Sequence, residues 1–268
     1  MPKANVNEVN VNYKVQGEGE PLVLIMGFAA PRWAWFFQTR AFRKYYKVIT
    51  FDNRGVGKTD KPSEPYTIKT MADDTIGLMD YLGIDKAHIL GYSMGGIIAQ
   101  ELIINYPERV RKLILSSTLP TIRQITSEMR EALSLGEDFS FSEEDIKRVD
   151  IRKALSVLVA LGFNRRLYRM ILVPIAPIYV RLVGLKGLMG QIEAIAGCNT
   201  LERLHTIQAP TSVIVGTGDK AAPPRSSEVI ASRIPNAKLV KVEGGSHGYI
   251  WEMPGRFNKA VLDFLRAN

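Results

Sequence analysis

The sequence predicts an α/β fold built on a mainly parallel sheet, with a helical insertion late in the chain. Short, continuous apolar runs alternate with helix-length segments, which is the pattern of strands covered on both faces by helices. One long interval carries only helical spacing and interrupts this alternation. The strand-like runs are Leu22–Met26, Val48–Phe51, Ala87–Leu90, Leu113–Ser116, Ser212–Val215 and Leu239–Val242.

The other elements follow from local patterns. Residues from Val6 to Val15 alternate in period two and end at Gly17 and Gly19, which predicts a hairpin of half-exposed strands. Apolar residues at helical spacing predict the helices between the strands, and a proline near the start favours the last of them. These helices are Trp33–Phe42, Ile68–Leu82, Gly96–Tyr106, Arg225–Ile234 and Pro254–Arg266.

The interval from Leu119 to about His205 shows successive helical apolar stretches without strand-like alternation. An insertion of this size after a strand predicts a helical cap over the carboxyl edge of the sheet. Open α/β sheets bind their ligands at that edge. We therefore expect a core domain of residues 1–118 and 206–268, and a cap of residues 119–205.

Composition narrows the possible functions. The chain has 268 residues, 46% hydrophobic content and a formal charge of +8, and its basic residues are scattered without a nucleic-acid-binding motif. Cys198 is its single cysteine, and no Cys/His spacing suggests a metal site. The first ten residues lack the pattern of a secretory signal, and charges and prolines break the longest apolar stretch. We expect a soluble, cytoplasmic protein without a nucleic-acid partner.

One segment is unusual in charge. From Ile151 to Ile192 the sequence has several Lys and Arg residues but neither Asp nor Glu. Basic amphipathic helices bind membrane surfaces or anionic ligands. A solvated face of the cap, with its arginines paired to acids elsewhere, is the favoured interpretation, and membrane contact is the alternative.

A Gly-x-Ser-x-Gly motif, Gly91 to Gly95, follows the strand-like run Ala87–Leu90 and opens a predicted helix. At a strand-to-helix turn this pattern forces the serine into a strained conformation, with its hydroxyl exposed at a helix N-terminus. Ser93 is therefore the candidate nucleophile. The same pattern recurs around Ser246, but no amphipathic helix directly abuts that turn, so Ser246 is rejected.

A serine nucleophile needs a base, which is usually a histidine. Of the three histidines, His88 lies inside a predicted strand and His205 lies where the insertion rejoins the core. His247 follows a predicted strand and lies in a glycine-rich turn, so we expect it at the same sheet edge as Ser93. Asp219, directly after the run Ser212–Val215, is the candidate carboxylate that orients the base.

Acyl transfer also requires backbone N–H groups directed at the developing oxyanion. Met94 follows the nucleophile at the start of a helix, and Phe28 follows Gly27 at the end of a predicted strand. These two residues are the predicted oxyanion-hole donors.

On the basis of these residues, the chain resembles the α/β-hydrolase superfamily, and within it the capped esterases, enol-lactonases and cofactor-free haloperoxidases. The resemblance covers nearly the whole chain and implies an eight-stranded sheet with the cap after the sixth strand. The order Ser93, Asp219, His247 is the order of that fold. Four segments carry the match: Gly91–Gly96, Phe51–Asp60, Gly218–Asp219 and Gly245–His247.

Two positions depart from the pattern of the superfamily. Met26 precedes Gly27 where many relatives have histidine, and Thr59 replaces the usual serine of the loop after the second core strand. Because the Phe28 donor is a backbone group, catalysis is expected to survive. Met26 removes a polar side chain that often braces the oxyanion loop.

The resemblance implies a serine carboxylesterase or lactonase that acts on small to medium apolar substrates without a metal or an organic cofactor. Relatives with a carboxylate nucleophile cleave epoxides or haloalkanes, and Ser93 argues against both.

Three alternatives stay open on the same residues: perhydrolase or haloperoxidase activity, hydroxynitrile lyase activity, and a ligand receptor with a vestigial triad. The sequence leaves monomer and homodimer open. Apolar residues of the insertion that are candidates to line an acyl pocket are Leu155, Leu158, Leu161, Phe163, Met170 and Met189.

Overall fold

An eight-stranded, mostly parallel sheet forms the centre of the computed structural model, which describes residues 2–122, 144–145 and 150–267. The order of strands across the sheet is β1-β2-β4-β3-β5-β6-β7-β8. Strand β2 pairs antiparallel with β1 and β4, and the remaining pairs are parallel. The strands are β1 Lys3–Val6, β2 Val9–Gln16, β3 Pro21–Ile25, β4 Lys47–Phe51, β5 Ala87–Tyr92, β6 Val110–Ser116, β7 Thr211–Gly216 and β8 Lys238–Val242.

The predicted fold class is confirmed, and the strands begin or end within a few residues of the predicted positions. The largest differences are at β6, which begins at Val110 rather than Leu113, and at β1, which begins at Lys3 although the predicted hairpin begins at Val6. Arg111 and Lys112 interrupt the apolar run, but they lie at the less buried end of the strand, where polar side chains reach solvent.

Helices cover both faces of the sheet. Helix α2 begins with a capping box in which Thr67 and Thr70 bond to each other's backbone N–H groups. The predicted helix Trp33–Phe42 is in fact a 3₁₀ turn, Arg32–Trp35, followed by an α-helix. The helices are α1 Phe36–Phe42, α2 Ile68–Tyr81, α3 Met94–Asn105, α4 Ile151–Gly162, α5 Arg166–Val183, α6 Leu185–Ala196, α7 Pro224–Arg233, α8 Tyr249–Glu252 and α9 Pro254–Arg266.

Two apolar layers hold the sheet. One lies beneath α2 and α3, where Leu102 and Met71 pack against Val23 and Ile89. The other lies beneath α1 and α9, where Phe42 and Phe257 are fully buried. Strand β5 is buried along its whole length between these layers, so the residue that follows it is held on a rigid support.

Helices α4, α5 and α6 lie in the segment between β6 and β7. The two ends of this segment meet, because Thr121 bridges to Asn199 and the Thr200 N–H donates to the Pro120 carbonyl at 2.9 Å. The Arg203 guanidinium also pairs with the largely buried Glu101 of α3. The division into a core and a separate cap stays a prediction, and residues 123–143 and 146–149 of the predicted cap lie outside the described residues.

Cys198 lies where this segment rejoins the core and is 8% exposed. Burial raises the pKa of its thiol to about 12, so the thiol stays protonated near neutral pH. It packs as a small apolar residue. Within the described ranges, no helix has both the length and the hydropathy needed to cross a membrane.

Candidate active site

Ser93 lies at the turn between β5 and α3 and adopts φ 56° and ψ −123°, a conformation that a residue with a side chain rarely occupies. Its N–H donates to the Ser116 carbonyl at 2.9 Å, which fixes the turn against β6. The turn is so tight that a Cβ on Gly91 would collide with the Gly95 backbone, and a Cβ on Gly95 would collide with the Ile25 carbonyl. The glycines of the motif are therefore required by packing.

The three predicted catalytic side chains form one hydrogen-bonded chain. His247 Nε2 lies 3.1 Å from Ser93 Oγ, and His247 Nδ1 lies 2.9 Å from Asp219 Oδ2. Ser93 follows β5, Asp219 follows β7 and His247 follows β8, so the parallel strands bring residues far apart in sequence to one sheet edge. A histidine held in this way can accept a proton from the serine hydroxyl while the carboxylate stabilises the imidazolium.

The carboxylate of Asp219 is fully buried but not isolated. Its Oδ1 accepts from the N–H groups of Ala221 and Ala222 at 2.9 and 2.8 Å, and both of its oxygens contact His247. These bonds replace the water that burial removes and hold the carboxylate in one orientation.

Tyr92, the residue before Ser93, holds the loop that carries His247. Its hydroxyl donates to the His247 carbonyl at 2.8 Å, and its ring lies 5.2 Å from the imidazole centroid. Burial raises the pKa of Tyr92 well above its ordinary value, so the phenol remains a neutral donor. In the sequence, Tyr92 is only a variable position of the Gly-x-Ser-x-Gly motif, and no sequence signal distinguishes this role.

The other serine and histidine candidates lie elsewhere, as expected. Ser246 is fully buried and its hydroxyl donates to the Glu252 carboxylate, so it is not available to attack a substrate. His88 is 4% exposed within β5, with Nε2 3.1 Å from Glu20, and burial lowers its pKa. His205 is exposed in the 3₁₀ turn Leu201–Thr206.

The loop after β3 passes directly beside the nucleophile. A Cβ on Gly27 would lie 3.0 Å from the Ser93 Cβ, so a larger residue here would press against the nucleophile and shift one of the two loops. Phe28 follows Gly27 on this loop, and Met94 is the first residue of α3. In the part of the chain that the structure describes, neither the Phe28 nor the Met94 N–H donates to another protein group.

Helices α5 and α6 brace this loop at Ala29, which has a φ of 59°. The Gln191 side chain is fully buried and accepts from the Ala29 N–H at 3.0 Å, while its amide donates to the Arg54 carbonyl at 2.9 Å. The Tyr179 hydroxyl donates to the Ala29 carbonyl. Neither Gln191 nor Tyr179 was predicted from the sequence, although a lone glutamine among the apolar residues of a helix is an available signal.

The two departures from the superfamily pattern are accommodated. Thr59 Oγ1 donates to the Asp52 carbonyl at 2.7 Å and accepts from the Asn12 N–H at 2.9 Å, so threonine supplies the hydroxyl that a serine would. Met26 is fully buried, and its carbonyl accepts from the Asn53 amide at 2.9 Å.

The candidate pocket residues differ in their surroundings. Leu155 belongs to a buried apolar cluster with Ala29 and Leu188, against which Phe28 and Met189 also pack. Phe163 stacks on Trp251, and a Cβ on Gly248, beside His247, would collide with its ring. Leu158 and Leu161 are half-buried, whereas Met170 is 61% exposed.

Among residues 2–122, 144–145 and 150–267, no group of His, Cys, Asp or Glu side chains is arranged to hold a metal ion.

Comparison with known proteins identifies the family of the chain. The family model described as alpha/beta hydrolase fold matches residues 20–161, which is more than half of the chain. The chain belongs to the α/β-hydrolase family. A bromoperoxidase-like relative of this hydrolase, from Mycobacterium tuberculosis, is 31% identical over 97% of this chain and 98% of its own length.

Two solved structures of lactone-cleaving enzymes are similar to this chain. The enol-lactonase from Burkholderia xenovorans LB400 superposes with a TM-score of 0.84 at 27% identity, covering 99% of this chain and all of the other. An N-acyl homoserine lactone degrading enzyme superposes with a TM-score of 0.82, also at 27% identity, over 98% of this chain and 100% of its own. Both superpositions extend through the helical segment between β6 and β7.

Proposed function

We propose that the chain is a serine hydrolase that cleaves carboxylic esters or lactones of small to medium apolar substrates through an acyl-enzyme. The observation that carries the proposal is the hydrogen-bonded chain from Ser93 through His247 to Asp219. The similarity to an enol-lactonase and to a lactone-degrading enzyme supports the ester or lactone bond as the target.

In the proposed reaction, Ser93 Oγ attacks the ester carbonyl as His247 Nε2 takes its proton. The carbonyl oxygen becomes an oxyanion, which accepts hydrogen bonds from the Phe28 and Met94 N–H groups. Collapse of the tetrahedral intermediate breaks the bond to the alcohol, and His247 returns the proton to that alcohol. Asp219 holds the imidazole in place and stabilises the imidazolium.

The second half of the reaction releases the acid. A water molecule gives a proton to His247 and attacks the acyl carbonyl, and collapse of this intermediate restores the Ser93 hydroxyl. In a lactone the leaving alcohol stays joined to the acyl group, so one hydroxy acid is released. Leu155 packs in the same apolar cluster as Phe28, and Phe163 lies against Gly248, the residue after His247. These two residues are therefore favoured to contact the acyl group, and Leu158 is the third candidate.

The bromoperoxidase-like relative favours one second candidate, perhydrolase activity. Hydrogen peroxide would then replace water in the attack on the acyl-enzyme, which gives a peracid and free Ser93. Addition of peroxide during ester turnover tests this candidate, because a perhydrolase forms peracid in proportion to peroxide, while an esterase forms only the carboxylic acid.

Hydrolysis of p-nitrophenyl esters from acetate to palmitate, by wild type and Ser93→Ala, tests the main proposal. We expect turnover with an optimum at one chain length and a loss of about a millionfold in Ser93→Ala, because the nucleophile is removed. Ser232→Ala, at an exposed serine of α7, is the matched control and should keep full activity. Substantial activity in Ser93→Ala, or no ester turnover by the wild type, would contradict the proposal.

A further inference from the structure

A groove of about 200 Å³ lies between α1 and the sheet face formed by β2 and β4, and none of the candidate catalytic residues lines it. The walls of this groove combine basic and aromatic side chains, and none of the described residues that line it is a carboxylate. Its lining residues are Lys14, Gln16, Arg32, Trp33, Phe36, Thr39, Arg40, Arg43 and Thr50.

The aromatic side chains of the groove project into solvent. Trp33 is 68% exposed and Phe36 is 63% exposed, although each would gain about 2 kcal/mol or more from full burial. Phe37, which is 40% exposed, adds a third ring 5.5 Å from that of Phe36. Contiguous exposed apolar surface of this kind marks an interaction site.

Three of the basic side chains beside these rings carry uncompensated charge. Lys14, Arg40 and Arg43 are exposed, and none of them pairs with an acid in the part of the chain that the structure describes. The chain as a whole has a formal charge of +8, which adds a long-range attraction for an anionic surface.

We propose that this basic aromatic patch, formed by Lys14, Trp33, Phe36, Phe37, Arg40 and Arg43, docks the protein onto an anionic lipid bilayer. Tryptophan and phenylalanine enter the interface between headgroups and acyl chains, while lysine and arginine bind the lipid phosphates. A stable complex with an acidic protein needs a larger surface, of about 20 residues or more on each side. The small, open groove with projecting rings therefore favours a bilayer.

The patch lies next to the candidate active site along the chain. Its 3₁₀ turn, Arg32–Trp35, comes directly after the loop that carries Phe28 and Ala29. The Trp251 indole donates to the Ala34 carbonyl at 2.8 Å, and Trp251 packs on Tyr92 and Phe163. Docking through this patch would hold the site close to a bilayer into which apolar esters partition. This inference concerns the surface of the protein and does not depend on the proposed reaction.

Sedimentation with vesicles of equimolar phosphatidylglycerol and phosphatidylcholine tests the proposal at low salt. Removal of two charges in Arg40→Gln/Arg43→Gln should weaken partitioning about 25-fold, at about 5-fold for each charge. The matched control is Arg165→Gln/Arg166→Gln, which removes the same charge from the basic helical segment and should lose less than about 3-fold. Equal losses in the two variants would show that only net charge matters and would overturn the proposal.

A second pair of variants tests the rings. Trp33→Ser/Phe36→Ser should lose about 10-fold in partitioning, whereas Met170→Ser/Leu185→Ser, at two other exposed apolar positions, should keep it. Brominated acyl chains should quench the fluorescence of Trp33, which is exposed, while Trp35 is fully buried. Absence of vesicle binding, or equally strong binding to polyglutamate that does not depend on Trp33 and Phe36, would contradict a bilayer site.

Discussion

The two sides of Ser93 are constructed differently. On one side, His247 and Asp219 lie on loops that directly follow β8 and β7, and their positions come from neighbouring strands of one sheet. On the other side, the loop of Phe28 and Ala29 is held by Gln191 and Tyr179, which lie 162 and 150 residues away from Ala29 in helices α6 and α5.

This difference indicates a division of roles. The proton-transfer side takes its three side chains from loops that follow neighbouring strands, and the helical segment contacts its histidine loop through the backbone, where the Gly248 N–H donates to the Gly162 carbonyl at 2.6 Å. The oxyanion side depends on the helical segment between β6 and β7, so a change in that segment can alter catalysis without contact with substrate. Variants on the two sides of Ser93 should therefore differ in how far kcat falls and in how kcat and KM change together.

The largest effect in this comparison is expected for Asp219→Asn. An amide in place of the carboxylate favours the wrong histidine tautomer and no longer stabilises the imidazolium, so kcat should fall about 10⁴-fold. Ester hydrolysis at saturating substrate measures this loss, and Asp263→Asn on the surface of α9 is the control. A loss of less than about 10-fold would mean that Asp219 does not orient the base.

Gln191→Met tests the other side of the serine. Methionine has a similar shape but leaves the Ala29 N–H and the Arg54 carbonyl without partners, so the loop should shift and kcat should fall about 10- to 100-fold with little change in KM. The loss falls on kcat because the oxyanion forms only during the reaction. Kinetic constants are measured below the unfolding temperature of the variant, with exposed Gln208→Met as the control.

Gln191→Glu separates positioning from simple stability. A carboxylate still accepts from the Ala29 N–H but, when ionised, no longer donates to the Arg54 carbonyl. We expect kcat to recover most of the loss seen in Gln191→Met even where the protein remains destabilised. If kcat instead follows the melting temperature in both variants, Gln191 serves only the packing of α6.

The contrast between the two sides of Ser93 also explains which site residues could be predicted from the sequence. Ser93, Asp219 and His247 each lie at a glycine-rich turn directly after an apolar run, so local pattern and strand order were sufficient to propose them together. Gln191 and Tyr179 act through long-range contacts, and their partners are backbone groups that have no residue identity to recognise. The groove near Trp33 was missed for a related reason, because its basic residues come from both β2 and α1 and form no run in the sequence.

The smallest effect is expected for Tyr179→Phe, which removes only the hydrogen bond to the Ala29 carbonyl. Gln191 still holds the adjacent N–H, so the loop keeps one of its two anchors, and the loss of one neutral hydrogen bond costs about 1 kcal/mol. This corresponds to a decrease in kcat of about 5-fold, with Tyr81→Phe at an exposed position as the control. A decrease as large as that of Gln191→Met would mean that the loop needs the carbonyl anchor as much as the N–H anchor. No decrease at all would leave Gln191 as the side chain through which the helical segment acts on the oxyanion loop.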